Sequence, residues 1–95
     1  MVVHLVSFKY RPDVDAAARD DHRARLRALA DIDGVLDLKV GEDFIRSVRS
    51  YDTGLLVLFR DRAALDGYAT HPRHQPVAQY GRDLSENIVA VDFDA

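Results

Sequence analysis

Histidine and tyrosine dominate the chemistry available to this chain. It has four histidines, His4, His22, His71 and His74, and no cysteine. His71 and His74 fall in Tyr68-Ala-Thr-His-Pro-Arg-His, a segment interrupted by proline, while His4 and His22 stand apart earlier in the sequence. An imidazole titrates near neutral pH and can take the proton from a C–H next to a carbonyl; a phenol such as Tyr68 can donate a hydrogen bond to the oxyanion that develops. Enolisation and aldol chemistry require no more than these two groups, so no cofactor is expected. A zinc or copper site built from His4, His71 and His74 is a second reading. No Asp or Glu is obviously positioned to join them and Pro72 keeps the pair off a shared helical face, so no metal site is expected. The third reading is structural, with Tyr68 and the histidines satisfying one another's polar atoms under a break in a helix. Arg25 flanks His22 and would aim a guanidinium into the same space, which favours an anionic ligand.

Composition narrows the field further. Ninety-five residues support one domain, 1–95, and 47% apolar with 31% charged residues is the balance of a globular chain. The longest aliphatic or aromatic run, Leu55 to Phe59, is far short of the ~20 residues a membrane helix needs, so no membrane partner is expected. The absence of cysteine suits a reducing cytoplasm, and the apolar start Met1-Val-Val-His-Leu-Val is too short and lacks the basic leader of a signal peptide. A net charge of −3, with arginines interleaved among aspartates, argues against a nucleic-acid surface. There is no G-x-S-x-G and no glycine-rich phosphate loop.

These groups must be positioned by elements whose periods are readable. Val2 to Tyr10 predicts a strand with Val2, His4, Val6 and Phe8 on one face and Val3, Leu5 and Ser7 on the other. A helix is expected from Pro12-Asp13 to about Ile32, with Val14, Ala18, His22, Leu26 and Leu29 as its apolar stripe and Arg19, Arg23 and Arg27 on a solvated side. Leu36, Leu38 and Val40 predict an edge strand ending at Gly41, and 42–52 a long connection that could fold over a site. Thr53 to Arg60 predicts a central strand with Leu55, Val57 and Phe59 facing one way and Leu56 and Leu58 the other. Asp61 is a cap for a short helix to about Tyr68, a second helix covers Gln75 to Leu84 with Pro76 in its first turn, and Ile88 to Phe93 is the last strand.

The order β-α-β-β-α-β predicts an α+β, ferredoxin-like subunit with spatial strand order 4-1-3-2. Both helices then cover one face of the sheet. The opposite face, expected to carry Val3, Leu5, Leu56, Leu58, Ile88 and Ala90, calls for a second sheet laid against it, hence a homodimer. The registers set His4 and His22 on the surfaces that look at each other, sheet against helix. A pocket there would be walled by His4 and Phe8 from the first strand, Leu55 and Val57 from the third, and His71 and Val77 near the helix break.

The first-strand segment Val3-His-Leu-Val-Ser-Phe-Lys9, a glycine closing the second strand, Tyr51-Asp52 leading into the third, the Tyr68 to His74 segment and a terminal Val91-Asp-Phe93 together resemble the stress-responsive A/B barrel domain (Dabb) family across essentially the whole chain. The resemblance implies a subunit that pairs into a dimeric α+β barrel. It also implies similarity to olivetolic acid cyclase, a plant polyketide cyclase working by aldol condensation without metal or cofactor. That cyclase's catalytic Tyr and His look like Tyr68 and His74, and its first-strand His looks like His4. Where the cyclase has aromatic residues on its first helix, this chain has His22 and Arg25. A smaller or anionic carbonyl compound is therefore expected, handled by lyase, isomerase or cyclase chemistry, with a non-catalytic ligand-binding or stress protein as the alternative. Related dimeric barrels include cofactor-free monooxygenases and lactone isomerases.

Overall fold

The computed structural model describes residues 1–95. Strand β1 (Val2–Tyr10) leads to helix α1 (Ala16–Arg27), followed by β2 (Val35–Glu42), β3 (Thr53–Phe59), helices α2 (Arg62–Ala69) and α3 (His74–Leu84), and β4 (Ser85–Asp94). The sheet is antiparallel in the order β2-β3-β1-β4, so the two strands that are apolar on both faces occupy its centre. The helices lie on one side. Val2, Val6, Phe8, Leu55, Val57 and Phe59 from the sheet meet Leu26, Leu29, Ala64 and Tyr68 from the helical layer to form the core.

Helix α1 begins later than its apolar period suggests. Asp15 caps it, accepting a hydrogen bond from Ala18 N at 2.9 Å, and Arg11 to Val14 make a turn before it. After Arg27 the chain tightens into a 3₁₀ turn, Ala28–Asp31. Arg23 is not on a solvated side as expected; it is 6% exposed and donates to Thr53 Oγ1 at 2.9 Å and Asp20 Oδ1 at 2.7 Å. Those acceptors offset the cost of burying a guanidinium; Asp20 lies one turn back on α1, but Thr53 is remote in sequence and invisible in the helical period. Helix α2 is capped as expected, Asp61 accepting from Ala64 N at 2.8 Å.

Two strands depart from their expected faces. In β2 the pairing shifts between Val35 and Asp37, leaving Leu36 as the extra residue of a bulge and 53% exposed. In β4, Ile88 and Ala90 lie opposite Phe8 and Val6 and so share the helix-covered face. The outer face is completed instead by Val89, Val91 and Phe93, opposite Ser7, Leu5 and Val3. Both parities of this strand are apolar, so alternation alone does not choose between them.

Gly34 has φ of 91°, and a Cβ built on it would stand 2.5 Å from the Cβ of Ala64. Left-handed backbone and close approach to α2 both require glycine there. Gly34→Ala is expected to destabilise the fold by about 2 kcal/mol or more, read as a lower urea midpoint. An unchanged midpoint would mean that α2 is not held against this turn.

Candidate active site

The site is built where β1 and β3 face α1 and α3. A cavity of about 130 Å³ lies there, lined by His4, Val6, Phe8 and Leu55 from the sheet, His22 and Leu26 from α1, and His74, Val77, Ala78 and Arg82 from α3, with Ile88 at its edge. Of the residues expected from the sequence, His4, Phe8, His22, Leu55, His74 and Val77 line it. Val57 is fully buried in the core beneath. Arg25 does not enter: it is half-exposed, ion-paired to Asp21 at 2.9 Å and laid over the Tyr80 ring at 4.4 Å. His71 is spent on the turn between α2 and α3, its Nδ1 accepting from Arg73 N at 3.0 Å.

Tyr68 sits beside the cavity rather than in its lining. Its ring packs at 4.4 Å from His74, 5.0 Å from Phe59 and 6.4 Å from His4, between centroids. Its hydroxyl is buried and no protein group reaches it. Burial pushes its pKa up to about 12, so the phenol keeps its proton at neutral pH.

Each histidine of the lining has one nitrogen tied. His74 Nδ1 donates to the Ala69 carbonyl at 3.1 Å, leaving Nε2 as the free acceptor. Burial lowers the His74 pKa, with the charges of His4 and Arg82 adding to it and the Ala69 bond opposing, so the ring is a neutral base. His4 Nδ1 bonds Asp92 Oδ1, its neighbour across β1 and β4, which leaves Nε2 as the nitrogen His4 can offer a ligand. His22 Nδ1 lies 2.7 Å from Tyr10 Oη. The Tyr10 hydroxyl donates to Thr53 Oγ1 at 2.9 Å, and Thr53 also accepts from Arg23. Burial, and then Arg23, lower the His22 pKa to about 4.

Two contributors were missed in the sequence. Asp92 becomes visible only once the β1–β4 register pairs it with His4. Arg82 supplies the guanidinium that Arg25 does not; its Nη2 donates to Gln79 Oε1 at 3.0 Å and no carboxylate pairs with it. The signal was present, since His74, Ala78 and Arg82 recur at steps of four on one face of α3. No three His, Asp or Glu side chains gather into a metal-ligating group. A larger concavity of about 560 Å³ lies on the other face, bordered by Leu5, Lys39, Tyr51, Gly54 and Leu56. It is open to solvent and has no histidine in its lining.

The Stress responsive A/B Barrel Domain model matches residues 2–95. The stress-response A/B barrel domain-containing protein DABB1 of Arabidopsis thaliana is 32% identical over 99 aligned positions that take in all of this chain. The chain spans about half of that relative, 47% of its length. Among solved structures, a dimeric ferredoxin-like protein of unknown function from Jannaschia sp. is similar with a TM-score of 0.80 and 31% identity, covering 99% of this chain and 98% of that one. A hydroxynitrile lyase from Passiflora edulis shares the fold with a TM-score of 0.86 at 18% identity, over 97% of this chain and 90% of its own. No helix of the chain is long and apolar enough to cross a membrane.

Proposed function

The chain belongs to the stress-responsive A/B barrel domain family, and from that premise we propose that it is a cytoplasmic homodimer whose subunits each bind a small carbonyl compound in this cavity and move a proton on it without a cofactor. The observation that carries the reading is His74: a neutral imidazole, its Nδ1 anchored on Ala69 and its ring packed on Tyr68, lining a small cavity between sheet and helices. A base held in that way takes the α-proton on Nε2. The C–H electron pair becomes the C=C of an enolate, and the carbonyl π pair moves onto oxygen. The Tyr68 hydroxyl, protonated and without a protein acceptor, donates to that oxygen. Because Tyr68 lies beside the lining, this donation requires a small shift of the His4 and His74 rings as the ligand enters. Arg82 at the wall favours a carboxylate or other anionic group.

Departure of a leaving group, return of the proton to another atom, or attack of the enolate on a second carbonyl give lyase, isomerase and cyclase outcomes. The first is the class named for the Passiflora neighbour. The second reading, a non-catalytic ligand-binding or stress-response protein, draws on Tyr68 lying outside the lining. A thermal-shift screen with small keto acids and phenolic acids, followed by turnover assays on each binder, tests the proposal. Stabilisation by a keto acid that the protein then converts supports it; binders that are never converted favour the second reading.

The homodimer rests on the outer sheet face. Leu56, Leu5 and Val91 form one cross-strand row and Leu58, Val3 and Phe93 another, with Val91 60% and Phe93 46% exposed. Contiguous apolar rows of this kind mark an interface. Leu56→Asp sets a carboxylate in the middle of it and is expected to give monomer at micromolar concentration where the wild type scatters light as a dimer. A monomeric wild type would contradict the assembly.

A further inference from the structure

The cavity has a hydrogen-bond polarity set by His22. This side chain is fully buried, with the rings of Phe8, Tyr10 and Tyr80 at 4.7, 5.5 and 5.9 Å. Its Nδ1 faces Tyr10, whose only hydroxyl hydrogen goes to Thr53, so Nδ1 must carry the proton of that contact. Nε2 is then an acceptor, and no protein donor reaches it. What lies next to it is the bare Cα of Gly81: a Cβ at that position would stand 2.9 Å from Nε2 and 3.2 Å from Phe8 Cε1. No side chain at position 81 crowds this nitrogen, which is buried without a partner on a residue that lines the cavity.

We infer that His22 Nε2 reads a hydrogen-bond donor on the ligand, so that the substrate class is a small hydroxycarbonyl compound, its hydroxyl on His22 and its carbonyl toward His74 and Tyr68. This rests on the carbonyl reading above and narrows it. Size agrees: benzene fills a cavity of about 150 Å³, so about 130 Å³ admits roughly six heavy atoms. A buried acceptor left unpaired by the wrong ligand discriminates more strongly than apolar contact does. Burial also keeps the ring uncharged across the neutral range, which preserves the acceptor.

The test uses hydroxyacetone and butan-2-one, which differ by a hydroxyl in place of a methyl. Side-chain ¹H–¹⁵N spectra of the dimeric protein first report the tautomer. Nδ1 protonated with Nε2 bare is expected; a proton on Nε2 overturns the inference. Titration of each ketone, followed on His22 and Gly81 resonances, is then expected to favour hydroxyacetone by ~10-fold or more. His22→Phe, which keeps the ring and removes the acceptor, should abolish that preference, as should Gly81→Ala if it folds. Equal binding of the two ketones by wild-type protein overturns the donor assignment and leaves the carbonyl reading standing. Binding of neither ketone, and of no keto acid in the thermal-shift screen, overturns the carbonyl reading itself.

Discussion

His74→Ala lowers kcat on any converted substrate by ~10²-fold or more while leaving the unfolding free energy from urea titration within about 1 kcal/mol of wild type. The side chain is half-buried, lines the cavity, and has its Nδ1 held by the backbone through Ala69. Removing it takes away the base, and the shortened side chain still permits α3 to dock through Val77 and Leu84. The acidic limb of the rate profile gives a second check. Since burial lowers the His74 pKa from 6.5, activity rises with pH through a range below 6.5 and is level at neutral pH. Tyr68→Phe separates two roles for the phenol: a donor to the oxyanion costs ~10-fold or more in kcat with KM unchanged, whereas packing against His74 alone leaves kcat intact. If His74→Ala turns over at the wild-type rate, the imidazole is structural.

Acid weakens the fold through His22. Its folded-state pKa of about 4 lies below the ordinary 6.5, so the unfolded chain takes up a proton that the folded chain refuses. Stability is therefore complete above pH 6.5, declines as the pH falls toward 4, and levels once both states are protonated. The full loss is about 3 kcal/mol for a side chain this deeply buried. His74 adds a contribution of the same sign. Urea unfolding at pH 7.5 and pH 4.5, at fixed protein concentration, should show most of that loss in wild type and a much smaller one in His22→Phe. Equal losses in the two proteins would place the acid sensitivity in this window elsewhere, with His74 first. Asp52 acts only at lower pH. Burial raises its pKa, but Arg46 at 2.6 Å and Tyr10 N at 2.8 Å outweigh that and hold it below the ordinary carboxylate range.

How far the sequence foretold this arrangement differs from element to element. The central strands were legible because β1 and β3 are apolar at both parities, a pattern only a twice-covered strand needs. Asp61 announced its helix, and the facing of His4 and His22 followed from registers of 2 and 3.6 residues. The same double parity misled in β4, where Ile88 and Ala90 compete with Val89, Val91 and Phe93 and only pairing to β1 decides. Arg23 was unreadable for a different reason: its acceptor, Thr53, is 30 residues away, and burial of a guanidinium depends on that partner rather than on any helical period. Arg25 and Arg82 exchange places for a geometric reason. Asp21, one turn before Arg25 on α1, and the Tyr80 ring draw it outward, while Arg82 follows His74 and Ala78 along the inner face of α3.

The exchange of α-hydrogens for deuterium in a small ketone, followed by ¹H NMR in D₂O, tests the central claim most directly, because it reports proton abstraction whatever the natural substrate does next. Wild-type protein is expected to speed the loss of the hydroxyacetone α-proton signals well above the buffer rate. Tyr68→Phe should slow that exchange, and His74→Ala should return it to the buffer rate. Exchange at the buffer rate with wild-type protein, at a concentration where hydroxyacetone demonstrably occupies the cavity, would contradict acid/base chemistry here and leave a binding protein.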